Sequence, residues 1–165
     1  MKEFLNYGND IIQKQQALFA SFFVVQNRLQ TLCEKVQTEI SMRQWHLLAM
    51  TQVCEKPRTL TNIGELMGCS RQNVKNLATA LERKGFINFV YGANNSVQIE
   101  ITEKANKYLM SMCAQQNEIL ANLFTFLSEK ETNKFFDLQN KLLDGLEKVE
   151  EYANNYKGEH IWKRV

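Results

Sequence analysis

The sequence predicts a mainly α fold with a single β-hairpin, and three observations carry this. Apolar residues recur at steps of three and four through most of the 165 residues. One proline and seven glycines are too few turn formers for a sandwich or a barrel. Strict alternation appears in one place, Val97-Gln98-Ile99-Glu100-Ile101, just after a turn-rich stretch.

The elements follow in order. Over residues 10–37, Leu18, Phe22, Val25, Leu29, Leu32 and Val36 recur at heptad spacing, widened by Phe19, Phe23 and Cys33. That stripe is wider than a lone surface helix needs. Ser41 and Gln44 form a capping box with Ile40 and Trp45 at the staple positions, opening a helix that stops before Pro57. Its apolar face is expected to hold Trp45, Leu48, Ala49, Gln52 and Val53. Thr61 is expected to cap a short helix ended by Gly68. Ser70 caps another, with Val74, Leu77, Ala78 and Leu81 inward and Gly85 just past its end. Residues 86–91 and 97–101 are the arms of a hairpin whose tip is Gly92-Ala93-Asn94-Asn95-Ser96. Thr102 caps a long helix to about residue 127. Ser128 and Glu131 form a second capping box before a last helix with Phe135, Leu138, Leu142, Leu146 and Val149 on one face.

Two short helices joined by Gly-Cys-Ser and followed by a hairpin make a winged helix-turn-helix. The fold class is therefore mainly α: a winged helix-turn-helix with a β-hairpin wing, flanked by long N- and C-terminal dimerisation helices. The chain reads as a single domain over 1–165, with a winged lobe at 40–102 and dimerisation helices at 9–38 and 103–155.

Net charge is only +2, so bulk charge does not announce a nucleic acid partner. Its distribution does more. Residues 70–85 carry four bases and one acid, whereas residues 128–156 carry four bases and seven acids. The first stretch attracts phosphate and the second repels it. Its polar face offers Arg71, Gln72, Asn73, Lys75, Asn76 and Thr79, with Lys84 at the end. Arginine and lysine reach guanine, and asparagine and glutamine pair with adenine. Ser70 and the helix N-terminus can hold a phosphate. A solvated helix face is the plainer alternative. The lack of acids before Glu82, and the hairpin that follows, favour DNA.

No run is long and apolar enough for a membrane span, and the first residues lack the pattern of a signal peptide. A cytoplasmic location with no membrane partner is the expectation. Cys33, Cys54, Cys69 and Cys113 make no metal-binding spacing and are expected to be reduced.

At this point the sequence resembles the MarR (multiple antibiotic resistance regulator) family of transcription factors. The matching stretches are ISMRQWHLLAM, TLTNIGELMGCSRQNVKNLATALERKGFI and, after the hairpin, IEITEKANKYL. They span about residues 40–109, and the ordered set is more specific than any one of them. The resemblance implies a homodimer with interlocked terminal helices, binding pseudo-palindromic double-stranded DNA as a ligand-responsive repressor. It also implies a small-molecule effector pocket between the lobes, for which Phe19, Phe23, Trp45, His46 and Tyr108 are candidates. Ordinary hydrophobic core is the alternative for each.

There are departures. The family wing usually carries Asp-x-Arg, with the arginine entering the minor groove; here no arginine is present. Asn94 and Asn95 are the candidate substitutes, a plain turn being the alternative. Some members sense zinc through histidines on the helix after the wing. This chain has only His46 and His160, so neither a metal nor a cofactor is expected. Others sense peroxide through a cysteine near the start of the first helix, a stretch that has no cysteine here. Cys69 beside the recognition helix is the redox candidate, since a helix dipole lowers a thiol pKa; packing against Val74 is its plainer role.

No catalytic spacing or phosphate-binding loop appears, so an enzyme is not expected. The rival class is a winged-helix protein-interaction module, or a structural helical dimer without sequence-specific DNA binding.

Overall fold

The computed structural model describes residues 10–92 and 96–156. Asn94 and Asn95 of the wing and His160 of the tail lie outside the described residues, as does residue 9 of the first expected helix. The chain forms two compact units, residues 1–111 and 112–165.

In the first unit, α1 (Ile11–Glu34), α2 (Met42–Val53), α3 (Leu60–Met67) and α4 (Arg71–Arg83) precede an antiparallel pair, β1 (Ile87–Tyr91) and β2 (Val97–Ile101), and then α5 (Glu103–Ser111). The second unit contains α6 (Cys113–Leu123) and α7 (Glu129–Asn155). This is the expected fold class, with helices predominating and one hairpin.

Start and stop signals explain most boundaries. Ser41 Oγ accepts from the Gln44 amide and Gln44 Oε1 accepts from the Ser41 amide, so the capping box of α2 is complete. Glu34 adds a carboxylate to the Met42 N–H at 2.8 Å. The second box, Ser128 with Glu131, opens α7. Its serine holds the Glu131 carboxyl below the ordinary carboxylate range through hydrogen bonds from hydroxyl and amide. Gly68 ends α3 in the left-handed region at φ 61° and Gly85 follows α4 at φ 75°, where a side chain would be strained.

Four expectations need correction. The cap of α3 is Thr59, not Thr61: Thr59 Oγ1 accepts from the Asn62 amide and also donates to Asn62 Oδ1. The buried face of α2 holds Leu47, Leu48 and Thr51, while Gln52 and Val53 are exposed. Burial of Thr51 is tolerated because its hydroxyl donates to the Leu47 carbonyl at 2.7 Å. The helix expected from Thr102 to residue 127 is broken at Met112 into α5 and α6, and the second piece ends at Leu123. Finally, α1 ends at Glu34; residues 35–37 form tight turns.

The core lies in the winged lobe. Leu47, Leu48, Leu60, Ile63, Val74, Ala78, Leu81, Phe86, Ile87 and Ile99 are essentially removed from solvent. The wing pairs Ile87 with Ile101, Phe89 with Ile99 and Tyr91 with Val97. On its other side β2 is held by the segment before α3, where the Ile99 amide donates to the Arg58 carbonyl. The long helices differ. Ala17 is the only buried residue of α1, and α7 has none.

At Gly64, α3 approaches the α3–α4 turn tightly: an added Cβ would lie 2.8 Å from the Cys69 carbonyl oxygen. Backbone must move to relieve that contact. Gly64→Ala is expected to destabilise the chain by about 1–3 kcal/mol, the usual cost of overpacking. Urea unfolding measures it; a neutral result would mean that the turn yields freely.

Candidate nucleic-acid interface

Helix α4, the expected recognition helix, is capped by Ser70, whose Oγ accepts from the Asn73 amide at 3.2 Å. Val74, Ala78 and Leu81 are fully buried, and this seam fixes which side faces out. Arg71, Gln72, Asn73, Lys75 and Asn76 are all exposed. Of the expected DNA-contacting residues, these five share the open face of one helix.

Several members are already engaged. Gln72 Nε2 donates to Asn76 Oδ1 at 3.0 Å, so the two amides one turn apart are coupled. Thr79 Oγ1 donates back to the Lys75 carbonyl at 2.8 Å. Lys84, expected to meet phosphate, instead donates Nζ to the Glu39 carbonyl at 2.7 Å. Glu82 is the only acid of α4, and its Oε1 accepts from the Phe89 amide of β1 at 3.3 Å. That carboxylate is turned toward the wing, a role the sequence pattern did not reveal. Arg58, near the base of the wing, donates to the Cys54 and Gln52 carbonyls and pins the α2–α3 connection.

Behind α4 lies a cleft of about 690 Å³, lined in part by Gln26 and Leu29 of α1, Arg43 and His46 of α2, and Asn73 and Leu77 of α4. Cys69 and Met67 also line it. Of the residues expected to line a pocket, the cleft includes His46 alone. Phe19 and Phe23 pack edge to face on an exposed side of α1, 5.2 Å apart. Tyr108 is buried, edge-on to Phe86, with its hydroxyl donating to Gln37 Oε1. The buried indole N–H of Trp45 has no hydrogen-bond partner among the described residues. Tyr108 is part of the core while Phe19 and Phe23 are exposed, and periodicity does not tell which helix face borders a cleft.

No family model matches the chain. Over 87 residues it is 29% identical to the transcriptional repressor MprA of Escherichia coli K12, covering 52% of this chain and 49% of that protein. The chain thus spans about half the length of the curated relatives it matches. Solved structures match more widely. The MarR/EmrR family regulator of Acinetobacter sp. ADP1 superposes with a TM-score of 0.72 at 18% identity, covering 81% of this chain and 97% of that one. MepR of Staphylococcus aureus, in complex with DNA, superposes with a TM-score of 0.65 at 22% identity, covering 76% and 93%.

The chain has the fold of the MarR-family regulators.

Three features of this MarR-type fold bear on the other candidate sites. Burial pushes the Cys69 thiol up, the direction opposite to that which a redox role beside the α4 N-terminus would call for and in keeping with the plainer packing role. Among the described residues, no group of three or more histidine, cysteine, aspartate or glutamate side chains is placed to hold a metal ion. Among the same residues, no helix is long and apolar enough to cross a membrane.

His46 also lines the cleft, and burial pushes its imidazole below the ordinary value of 6.5. A group that binds its proton more weakly when folded makes stability rise with pH. The contribution is therefore present above 6.5 and is lost as pH falls from there toward the lower folded value. Urea midpoints at successive pH values are expected to fall in that window for the wild type and to fall less for His46→Gln. Parallel curves for the two proteins would remove His46 as the cause.

Proposed function

We propose that the chain is a non-enzymatic, cytoplasmic transcriptional regulator of the MarR type, a ligand-responsive repressor that binds pseudo-palindromic operators as a homodimer. The observation that carries the reading is the open face of α4. It presents two cations, Arg71 and Lys75, beside the amides of Gln72, Asn73 and Asn76, while its one carboxylate is drawn off to the wing. Arginine and amide side chains are the groups that read base edges in the major groove. The names of the relatives, and the DNA in the MepR complex, support the same reading.

The dimer rests on the terminal helices, taken here as residues 9–38 and 103–155 around a reading lobe at 40–102. Leu18, Phe22, Val25 and Leu32 of α1 are exposed, as are Phe135, Leu138, Leu142, Leu146 and Val149 of α7. Contiguous apolar faces of this extent mark interfaces. A second copy is expected to cover them, burying more than roughly 2,000 Å² as obligate dimers do. The effector is assigned to the cleft, whose volume of about 690 Å³ is ordinary for a small-molecule site. Asn73 and Leu77 belong both to the cleft and to α4, so an occupant would touch the reading helix. The wing asparagines Asn94 and Asn95 remain in the reading as secondary contacts.

Sedimentation and selection of bound DNA by the purified chain test the reading together. A dimer at micromolar concentration is expected, with half-site centres about 10 bp apart or a multiple of that. A folded monomer, or a protein that retains no DNA but captures another protein, favours the interaction-module reading instead.

Single substitutions separate anchoring from reading. Lys75→Ala is expected to weaken all DNA alike and to lower the salt slope by about one unit. Lys84→Ala is expected to lower it less, because Glu39 holds that ammonium. Gln72→Ala or Asn76→Ala is expected to narrow the gap between operator and random DNA by about 1–3 kcal/mol. Since the two amides are bonded to each other, the double variant is expected to lose less than the sum. Four variants that bind the operator like the wild type would show that α4 is not the reader.

A further inference from the structure

The corner between α1 and α2, residues 35–41, is gripped by side chains from two other elements. Lys84, at the end of α4, donates to the Glu39 carbonyl at 2.7 Å. Lys104, in the first turn of α5, pairs with the Glu39 carboxylate at 3.3 Å. The same ammonium donates to the Lys84 carbonyl at 3.0 Å and lies 4.4 Å from the centre of the Phe86 ring. Phe86 meets Tyr108, whose hydroxyl donates to Gln37 Oε1 in the corner. Thr102 completes the join by donating to the Gly85 carbonyl at 2.8 Å.

We infer that Glu39 and Lys104 are positioning residues that fasten the end of α1 to the C-terminal end of the recognition helix, and thereby set the half-site spacing that a dimer accepts. The inference rests on the DNA-reading dimer proposed above. Its logic is geometric. One ammonium touches three segments: the corner, the end of α4 and the entry to the wing. Displacing any of the three breaks a contact to the other two. The ion pair is about half exposed on both sides, so it contributes little to stability. What it supplies is a fixed relation between α1 and α4. If α1 belongs to the dimer interface, that relation is repeated in both protomers, and the distance between the two reading helices follows from it.

Electrostatics and positioning predict opposite signs for one substitution. Glu39→Gln removes a negative charge, so charge alone would tighten binding to every DNA. Loss of positioning instead weakens operator binding and flattens the preference among spacings. The test uses the full chain and a set of operators whose central spacer differs by one and two base pairs, with random DNA as reference. Glu39→Gln is expected to reduce the preference for the best spacing by about threefold to tenfold, the size of effect that coupling residues exert. Dimerisation is expected to be unchanged and Tm to move by less than roughly 4 °C. Lys104→Met is expected to behave like Glu39→Gln, while Lys104→Arg, which keeps a cationic donor, retains most of the preference.

Uniform tightening by Glu39→Gln, or a spacing preference that survives in both Glu39→Gln and Lys104→Met, overturns the inference and leaves the DNA-reading function standing. A wild-type chain that binds operator and random DNA equally, at every spacing, overturns both.

Discussion

The one-sided burial of α4 is the constraint on which the rest of the winged lobe depends. Val74, Ala78 and Leu81 have no solvent exposure, and Phe86 just beyond the helix has none either. Residues three and four apart share a helix face, so burying this set leaves Gln72 and Asn76 on the opposite side, with Arg71 and Lys75 exposed at the flank. The close approach of Gly64 to the Cys69 carbonyl allows the turn before α4 to fold back tightly. The end of the helix is then fixed twice, by Glu82 to the edge of β1 and by Lys84 to the α1–α2 corner. Orientation of the polar face is thus a consequence of apolar packing, and polar contacts only fix its register.

The two kinds of helix in the chain follow different rules. Helices α2, α3 and α4 bury their apolar faces against one another and the wing, and their lobe has a core of its own. Helix α7 has 27 residues and buries none, although leucine, phenylalanine and valine recur along it. Two turns of helix stabilised only by caps and surface pairs are marginal in water, so long helices normally draw their stability from a packed face. The capping box at Ser128 sets where α7 begins, but it does not supply that face. Under the proposed function, such a helix is one side of an interface, and the lobe with its own core is combined with terminal segments that a second copy covers.

How much of this was legible in the sequence depended on whether the signal was local. Caps are local: Ser41, Ser70, Thr102 and Ser128 were all readable, as were the helix ends at Gly68 and Gly85. The wing was readable because alternation over Val97–Ile101 has no competing period. The face of α2 was not, since Trp45, Leu48, Ala49, Gln52 and Val53 make as good a stripe on paper as Leu47, Leu48 and Thr51. A threonine that satisfies its own hydroxyl through the Leu47 carbonyl looks polar in a pattern and apolar in a core. The break at Met112 carries no glycine or proline, so nothing in the local sequence marks it. At the candidate interface, five of the side chains that residue type singled out are exposed on one helix. They could not reveal the partners of Lys84 and Glu82, which come from residues 45 positions away and from the following strand.

Those partners change how the charge on α4 should be weighed. Counted along the chain, residues 70–85 hold four bases against one acid, which suggests a phosphate-binding stripe. In the fold, Lys84 is tied to Glu39, and the outward face near the helix start is left with Arg71 and Lys75 among three amides. Each phosphate neutralised contributes a salt slope of only about 0.9, so Arg71 and Lys75 at the helix start, with exposed Arg83 near its end, provide a modest electrostatic hold. A net charge of +2 adds little long-range attraction. Under the proposed function, affinity has to come from two lobes acting at once and from amide contacts to bases, both of which demand correct geometry. A reader built this way gains selectivity from placement more than from charge, and that makes the spacing between its two helices the quantity most worth controlling.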